Sequence, residues 1–232
     1  MARIINELTG RARGKVGNLI YKITNNKTSL SALPTSYRVS NTPEAIERRK
    51  RFRMTVKFAN AVGKISPLKY FWKNVSLNAE DVHKSAFNKL VKESYSYVTG
   101  DALDADINIV PGFGFTAVST ETTLTNSLIT LKIAAIGTEE KIDVMIETKV
   151  QAACLLFLKD PSDTRRAAYT YIECLSASSA LSLSNPITFT FPIEGAERNL
   201  YDAYTVHKAY FSVITMNDAS VPIKFSDTIY ST

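Results

Sequence analysis

Gln151-Ala-Ala-Cys-Leu-Leu-Phe-Leu158 and Ala168-Tyr-Thr-Tyr-Ile-Glu-Cys-Leu-Ser176 are two apolar runs on either side of Lys159-Asp-Pro-Ser-Asp163, and they read as strands separated by a turn. The same character fills the chain after residue 105. Runs rich in Val, Ile, Thr, Phe and Tyr recur at 106–110, 114–120, 128–135, 141–148, 151–158, 168–176, 186–192, 203–214 and 222–230; these residue types fit a pleated, half-buried surface. Gly137-Thr-Glu-Glu140, Ser184-Asn-Pro186, Glu194-Gly195 and Asn217-Asp218 supply further turns. No helical period of convincing length interrupts the runs, which disfavours parallel crossovers and predicts an antiparallel β-sandwich, immunoglobulin-like, over 101–232. Cys154 and Cys174 lie inside two of the runs and are expected as plain buried thiols.

Upstream the period is helical. Thr42 suits an N-cap, Pro43 the first helical position and Glu44 the positive end of the helix dipole. Met54, Phe58, Ala61 and Ile65 then form one apolar stripe, with Ile46 and Phe52 near its upstream edge. Gly63 and Pro67 stop the helix. A second helix is expected from Asn78, with Val82, Ala86, Leu90 and Phe87 facing inward and Gly100 at its end, and the aromatic stretch Ser66–Val75 between the two as a short helix or hinge. The chain therefore divides into an extended, glycine-punctuated arm (1–41), a helical hairpin (42–100) and the sandwich (101–232). The fold class is α+β.

Charge follows the same division. Nineteen of the 28 Lys and Arg precede Gly100, against six of the 22 Asp and Glu, so residues 1–99 carry +13 and the remainder −7. Opposite fields in one chain favour association with complementary surfaces, including those of other copies. Arg48-Arg-Lys-Arg-Phe-Arg53, continued by Lys57, is too long to lie on one helical face, but Arg49, Arg53 and Lys57 share a stripe at spacing four. Such a stripe fits acidic surfaces of neighbouring subunits, nucleic-acid phosphates or plain solvent.

The chain holds little that points to catalysis. Gly10-Arg-Ala-Arg-Gly14-Lys15-Val16 lacks the spacing, the Ser or Thr and the preceding strand of a P-loop, so Gly10, Gly14 and Gly17 are read as backbone turns and Arg11, Arg13 and Lys15 as facing a partner or solvent. His83 and His207 have no Cys, Asp or Glu at ligand spacing. No Gly-x-Ser-x-Gly elbow is present, and the Asp101, Asp104, Asp106 and Glu139-Glu140 groups read as solvated loop charge. No enzyme, cofactor, metal or small-molecule substrate is expected. Neither a secretory leader nor a membrane span is visible. Tyr169, Tyr171, Tyr201 and Tyr204 are candidates for an aromatic sugar-binding platform, or for core positions.

Met1-Ala-Arg-Ile, then Gly10-x-x-x-Gly14-Lys15-Val16-Gly17-Asn18-Leu19-Ile20-Tyr21, a Pro-containing loop and Asn41-Thr42-Pro43-Glu44-Ala45-x-x-Arg48-x-x-x-Phe52 resemble a family of Bacteroidetes-associated proteins and the virion proteins of crAss-like tailed phages. The resemblance covers residues 1–60. Thr24-Asn-Asn-Lys27 departs from it where a more aromatic stretch is expected. It implies a virion structural subunit of the neck or tail rings in the head–tail connector region, assembled in the bacterial host cytoplasm without enzymatic duty. Its partners would be further copies and other virion proteins. Arg11, Arg13, Lys15, Arg48, Arg49, Arg53 and Lys57 are the expected inter-subunit contacts; a packaged, nucleic-acid-contacting protein and a carbohydrate- or receptor-binding sandwich are the alternatives.

Overall fold

The computed structural model describes residues 3–6, 11–24, 27–33, 39–78, 85–138, 140 and 142–232, with the backbone alone at 3–6, 11–13, 16, 23–24, 27–28 and 78. Two compact units make up the chain, Met1–Ala45 and Ile46–Thr232.

In the first unit β1 (Arg3–Asn6), β2 (Arg11–Val16), β3 (Leu19–Thr24) and β4 (Lys27–Ala32) form an antiparallel meander in that order. Residues 1–41 therefore hold a small sheet rather than an extended arm. The reason is local: Gly17 takes φ +56, and Gly17-Asn18 is the two-residue loop that sets Val16 opposite Leu19. A hairpin of that length needs a residue free to adopt positive φ, and glycine does so without steric cost. Once the hairpin closes, strand backbone groups find partners on their neighbours.

The second unit has helices α1 (Pro43–Val62, begun just before the unit's start), α2 (Ser66–Asn78) and α3 (Ala86–Ser94), followed by a 3-10 turn at Tyr95–Tyr97. Thr42 caps α1, its Oγ1 accepting from the Ala45 N–H at 3.3 Å. The aromatic stretch after Ile65 is a full helix, and the expected start at Asn78 is instead the end of α2. The next helix begins behind Ser85, whose hydroxyl accepts from the Asn88 N–H.

Then come β5 (Val98–Thr99), β6 (Ala102–Leu103), β7 (Ser119–Leu124), β8 (Leu128–Ile133), β9 (Lys149–Pro161), β10 (Tyr169–Leu175), β11 (Ser179–Ala180), β12 (Ile187–Pro192), α4 (Gly195–Asp202), β13 (Tyr204–Met216), β14 (Pro222–Phe225) and β15 (Ile229–Ser231). One sheet runs β10-β9-β13-β14, with β11 on β9 and β15 on β13; another runs β12-β8-β7, and β5 pairs with β6. All strand pairs are antiparallel.

Two cores sit on opposite faces of the larger sheet. Val150, Ala152, Cys154, Leu156 and Leu158 of β9 join Ile129, Leu131 and Ile133 of β8 and Phe189 and Phe191 of β12 in the core between the sheets. Ala153, Leu155 and Phe157 point the other way and pack with Met54, Phe58, Leu68, Trp72 and Leu90 of the helices. That two-sided burial explains why Gln151–Leu158 is an unbroken apolar run, whereas β12, with one face in solvent, alternates. The helices expected as a separate hairpin over 42–100 are thus a third layer over the sandwich, and the expected boundary at 100/101 falls inside one compact unit.

Four expected strands differ, and one of them, 222–230, is broken into β14 and β15. Segment 106–110 buries Ile107, Ile109 and Val110, but the Ile109 N–H donates to Thr228 Oγ1 at 3.1 Å and the Ile109 carbonyl accepts from Trp72 Nε1 at 3.0 Å, so no ladder forms. Over 114–120 the strand begins only at Ser119. Upstream, Gly114 passes so close to the neighbouring backbone that a Cβ there would lie 2.1 Å from the Phe225 carbonyl oxygen. Of the expected strand 141–148, residue 141 lies outside the described residues, and the rest carries a turn at 144–146. The expected turn at Glu194-Gly195 leads into α4, a helix that the strand pattern did not foreshadow.

Candidate interaction surface

On α1 the buried face holds Met54, Phe58, Ala61 and Val62, and Ile65 just beyond the helix is buried with them. Phe52 and Ile46, expected at its edge, are exposed. The opposite face carries Arg49, Lys50, Arg53 and Lys57, all exposed, with Arg48 exposed beside them and Lys64 exposed just past the helix. The basic run is not uniform in its use. Arg51 lies inward, donating from Nε to the Tyr95 carbonyl at 2.8 Å with its guanidinium 4.3 Å from that ring's centre, and so ties α1 to the turn after α3. Lys57 sits 4.7 Å over the Tyr169 ring, and Lys64 pairs with Glu173 at 2.8 Å. These two cations fasten α1 to β10, an edge strand of the larger sheet. Ion pairs this exposed stabilise little, and their stems cover apolar surface instead.

Of the other expected contact residues, Arg11, Arg13 and Lys15 fall on β2 of the first unit, with Lys15 exposed and the Arg11 and Arg13 side chains outside the described residues. Gly14 and Gly17 take φ +119 and +56; Gly10 lies outside the described residues, as does His83. His207 stacks on Tyr201 with ring centres 4.0 Å apart and its Nε2 is 3.1 Å from the Tyr201 carbonyl oxygen. Tyr169, Tyr201 and Tyr204 are buried core residues, so they do not form a platform. Tyr171 is packed among Phe58, Phe157 and Tyr169. Burial pushes its hydroxyl pKa well up, and its oxygen is buried without a hydrogen-bond partner. Cys154 and Cys174 are free, buried and directly opposite each other on β9 and β10. Burial drives both thiols up, Cys174 to about 12, which leaves them unreactive.

A second surface was not legible as such. Val144, Met145 and Ile146 form a turn tip, 54%, 86% and 55% exposed. Asp143 closes the turn: its Oδ1 accepts from the Met145 N–H and its carbonyl from the Ile146 and Glu147 N–H groups. Glu147, only 1% exposed, anchors the base. Its carboxylate accepts from the Asp143 N–H at 3.0 Å and from the Thr215 hydroxyl, and pairs with Lys224 at 2.8 Å. Burial works to raise the Glu147 pKa, but the hydrogen bonds from Lys224, Thr215 and the Asp143 N–H, with the Lys224 charge, outweigh it and hold the carboxyl below its ordinary value.

Among the described residues no group of three or more His, Cys, Asp and Glu is placed to hold a metal ion, and no helix is long and apolar enough to cross a membrane. No family model matches the chain, and no curated protein matches it. Among solved structures, MtrC from Shewanella baltica OS185 shows 10% identity and a TM-score of 0.28, over 50% of this chain and 22% of that one. A likeness that loose carries no argument about fold or function.

Proposed function

We propose that this chain is a non-enzymatic virion structural protein, an oligomeric subunit of the neck or tail rings in the head–tail connector region of a tailed phage, with other copies and other virion proteins as partners. The observation that carries the assembly is the charge asymmetry between layers: residues 46–99, the helical layer, hold twelve Lys and Arg against four Asp and Glu, while residues 100–232 hold nine against sixteen. Opposed fields on one molecule favour head-to-tail contacts, which close into a ring where the rotation between copies closes. The phage assignment and the virion location rest on the resemblance of residues 1–60. The sandwich is read as immunoglobulin-like because its principal strands divide four and three between two antiparallel sheets. Arg48, Arg49, Arg53 and Lys57 on α1, with Arg11, Arg13 and Lys15 on β2, are the proposed inter-subunit contacts.

Light scattering of the purified chain over a range of protein concentrations tests this. A mass that rises with concentration, and that falls back in R48E/R53E, supports the reading; a fixed monomer mass opposes it. The exposed cations of α1 also suit phosphates, and titration with a short DNA duplex at low salt separates the two. Tight, salt-sensitive DNA binding by a chain that stays monomeric would favour the nucleic-acid reading.

A further inference from the structure

Three consecutive exposed apolar residues are rare on a surface that only meets water, and mark contact sites when they are rigidly held. Val144-Met145-Ile146 is held from two sides. Asp143 accepts from the N–H groups of Met145, Ile146 and Glu147, and Glu147, locked on Lys224 and Thr215, fixes the base to β13 and β14. A tip built this way loses little conformational freedom when it docks. Exposed Asp143 lies at its start and exposed Asp218 beyond its end, where Asp218 accepts from the Thr148 hydroxyl and its carbonyl from Lys149 at 2.7 Å.

The helical layer offers a matching seat. A cavity of about 430 Å³ opens between α1, α2 and α3, lined by Ala59, Gly63, Trp72, Ala86, Phe87 and Leu90. Lys69 also lines it, as does Lys64, which is paired with Glu173, and Lys73 is exposed on the neighbouring turn of α2. An apolar tip with acidic flanks thus meets an apolar cavity with basic flanks, on one chain. Tip and cavity are different surfaces, so each contact between them joins unlike faces of two copies.

We propose that the Val144-Met145-Ile146 tip of one copy inserts into the helix-layer cavity of a second copy, forming a head-to-tail contact. This deepens the assembly reading above and rests on it. The test uses the full chain. Met145 is the exposed methionine of the second unit, since Met54 and Met216 are buried, so protein labelled with a diazirine analogue of methionine reports on the tip. After irradiation of a mixture of isotopically heavy and light protein, crosslinks from position 145 to Trp72, Phe87 or Leu90 of another copy are expected. M145D should weaken self-association about tenfold or more, as loss of a buried anchor does, with an unchanged melting temperature. Wild-type protein that associates while M145D associates equally, or crosslinks that map elsewhere, overturns this contact and leaves the assembly reading standing. Wild-type protein that never associates overturns both.

Discussion

Tyr171 shows how a single residue reports on the layer above it. Its ring fills space beneath α1 among Phe58, Phe157 and Tyr169, while its buried hydroxyl has no partner. An unpaired buried hydroxyl costs about 1–3 kcal/mol, so Tyr171→Phe should stabilise the fold by about 1 kcal/mol in a denaturant titration; a loss of stability would show that the hydroxyl is satisfied after all. Gly114 makes the opposite case. With the Phe225 carbonyl oxygen 2.1 Å from where a Cβ would stand, Gly114→Ala must push the 110s loop off β14. Overpacking of backbone against backbone predicts a loss of about 3 kcal/mol, readable as a lower melting temperature. Neither residue announces itself in the sequence, because Tyr171 is covered by Phe58 and Gly114 meets Phe225, each far away along the chain. Cys154 and Cys174 were legible as buried thiols, since each is embedded in an apolar run and burial needs no knowledge of the partner strand.

Among the elements, β8, β9, β10, β12 and β13 were readable as strands, whereas β7 lies mostly beyond the expected 114–120 and the short β11 was not foreseen. The misreadings have a common cause. Ile142, Val144 and Ile146 alternate as a strand would, but Asp143 captures the following N–H groups and closes a turn before a ladder can start. Ile107 and Ile109 alternate and are buried, yet their segment is held by Thr228 and Trp72. The unbroken apolar run of β9 carried a signal of two covered faces, and it foretells the helical layer once read that way. The turn makes a pH prediction. Because Glu147 has its pKa lowered in the folded state, its contribution is fully present above the ordinary carboxylate range and is lost as pH falls through the lowered value. Stability measured from neutral to acid pH should therefore decline, and Glu147→Gln should flatten part of that decline. The same variant should also cost about 1–3 kcal/mol at neutral pH, because it weakens the hydrogen bonds to a buried carboxylate; an unchanged profile in the variant would place the acid sensitivity elsewhere.

At the level of the whole molecule, a basic helical layer backed by a more acidic sandwich is the feature from which the assembly account follows. The balance of charge was legible from composition alone, but its arrangement was not: the cations do not sit on a free hairpin, they cover one face of the larger sheet. Within that layer Arg51, Lys57 and Lys64 meet Tyr95, Tyr169 and Glu173, and Arg48, Arg49, Lys50, Arg53 and Lys57 are exposed. Contacts between exposed charges weaken once the Debye length drops below their separation, about 10 Å at 0.1 M salt and about 3 Å at 1 M. Sedimentation equilibrium of the full chain at low and at high salt tests the account most directly. Concentration-dependent association that weakens markedly as salt rises is the predicted result, and a single monomeric species at every concentration and salt would contradict it.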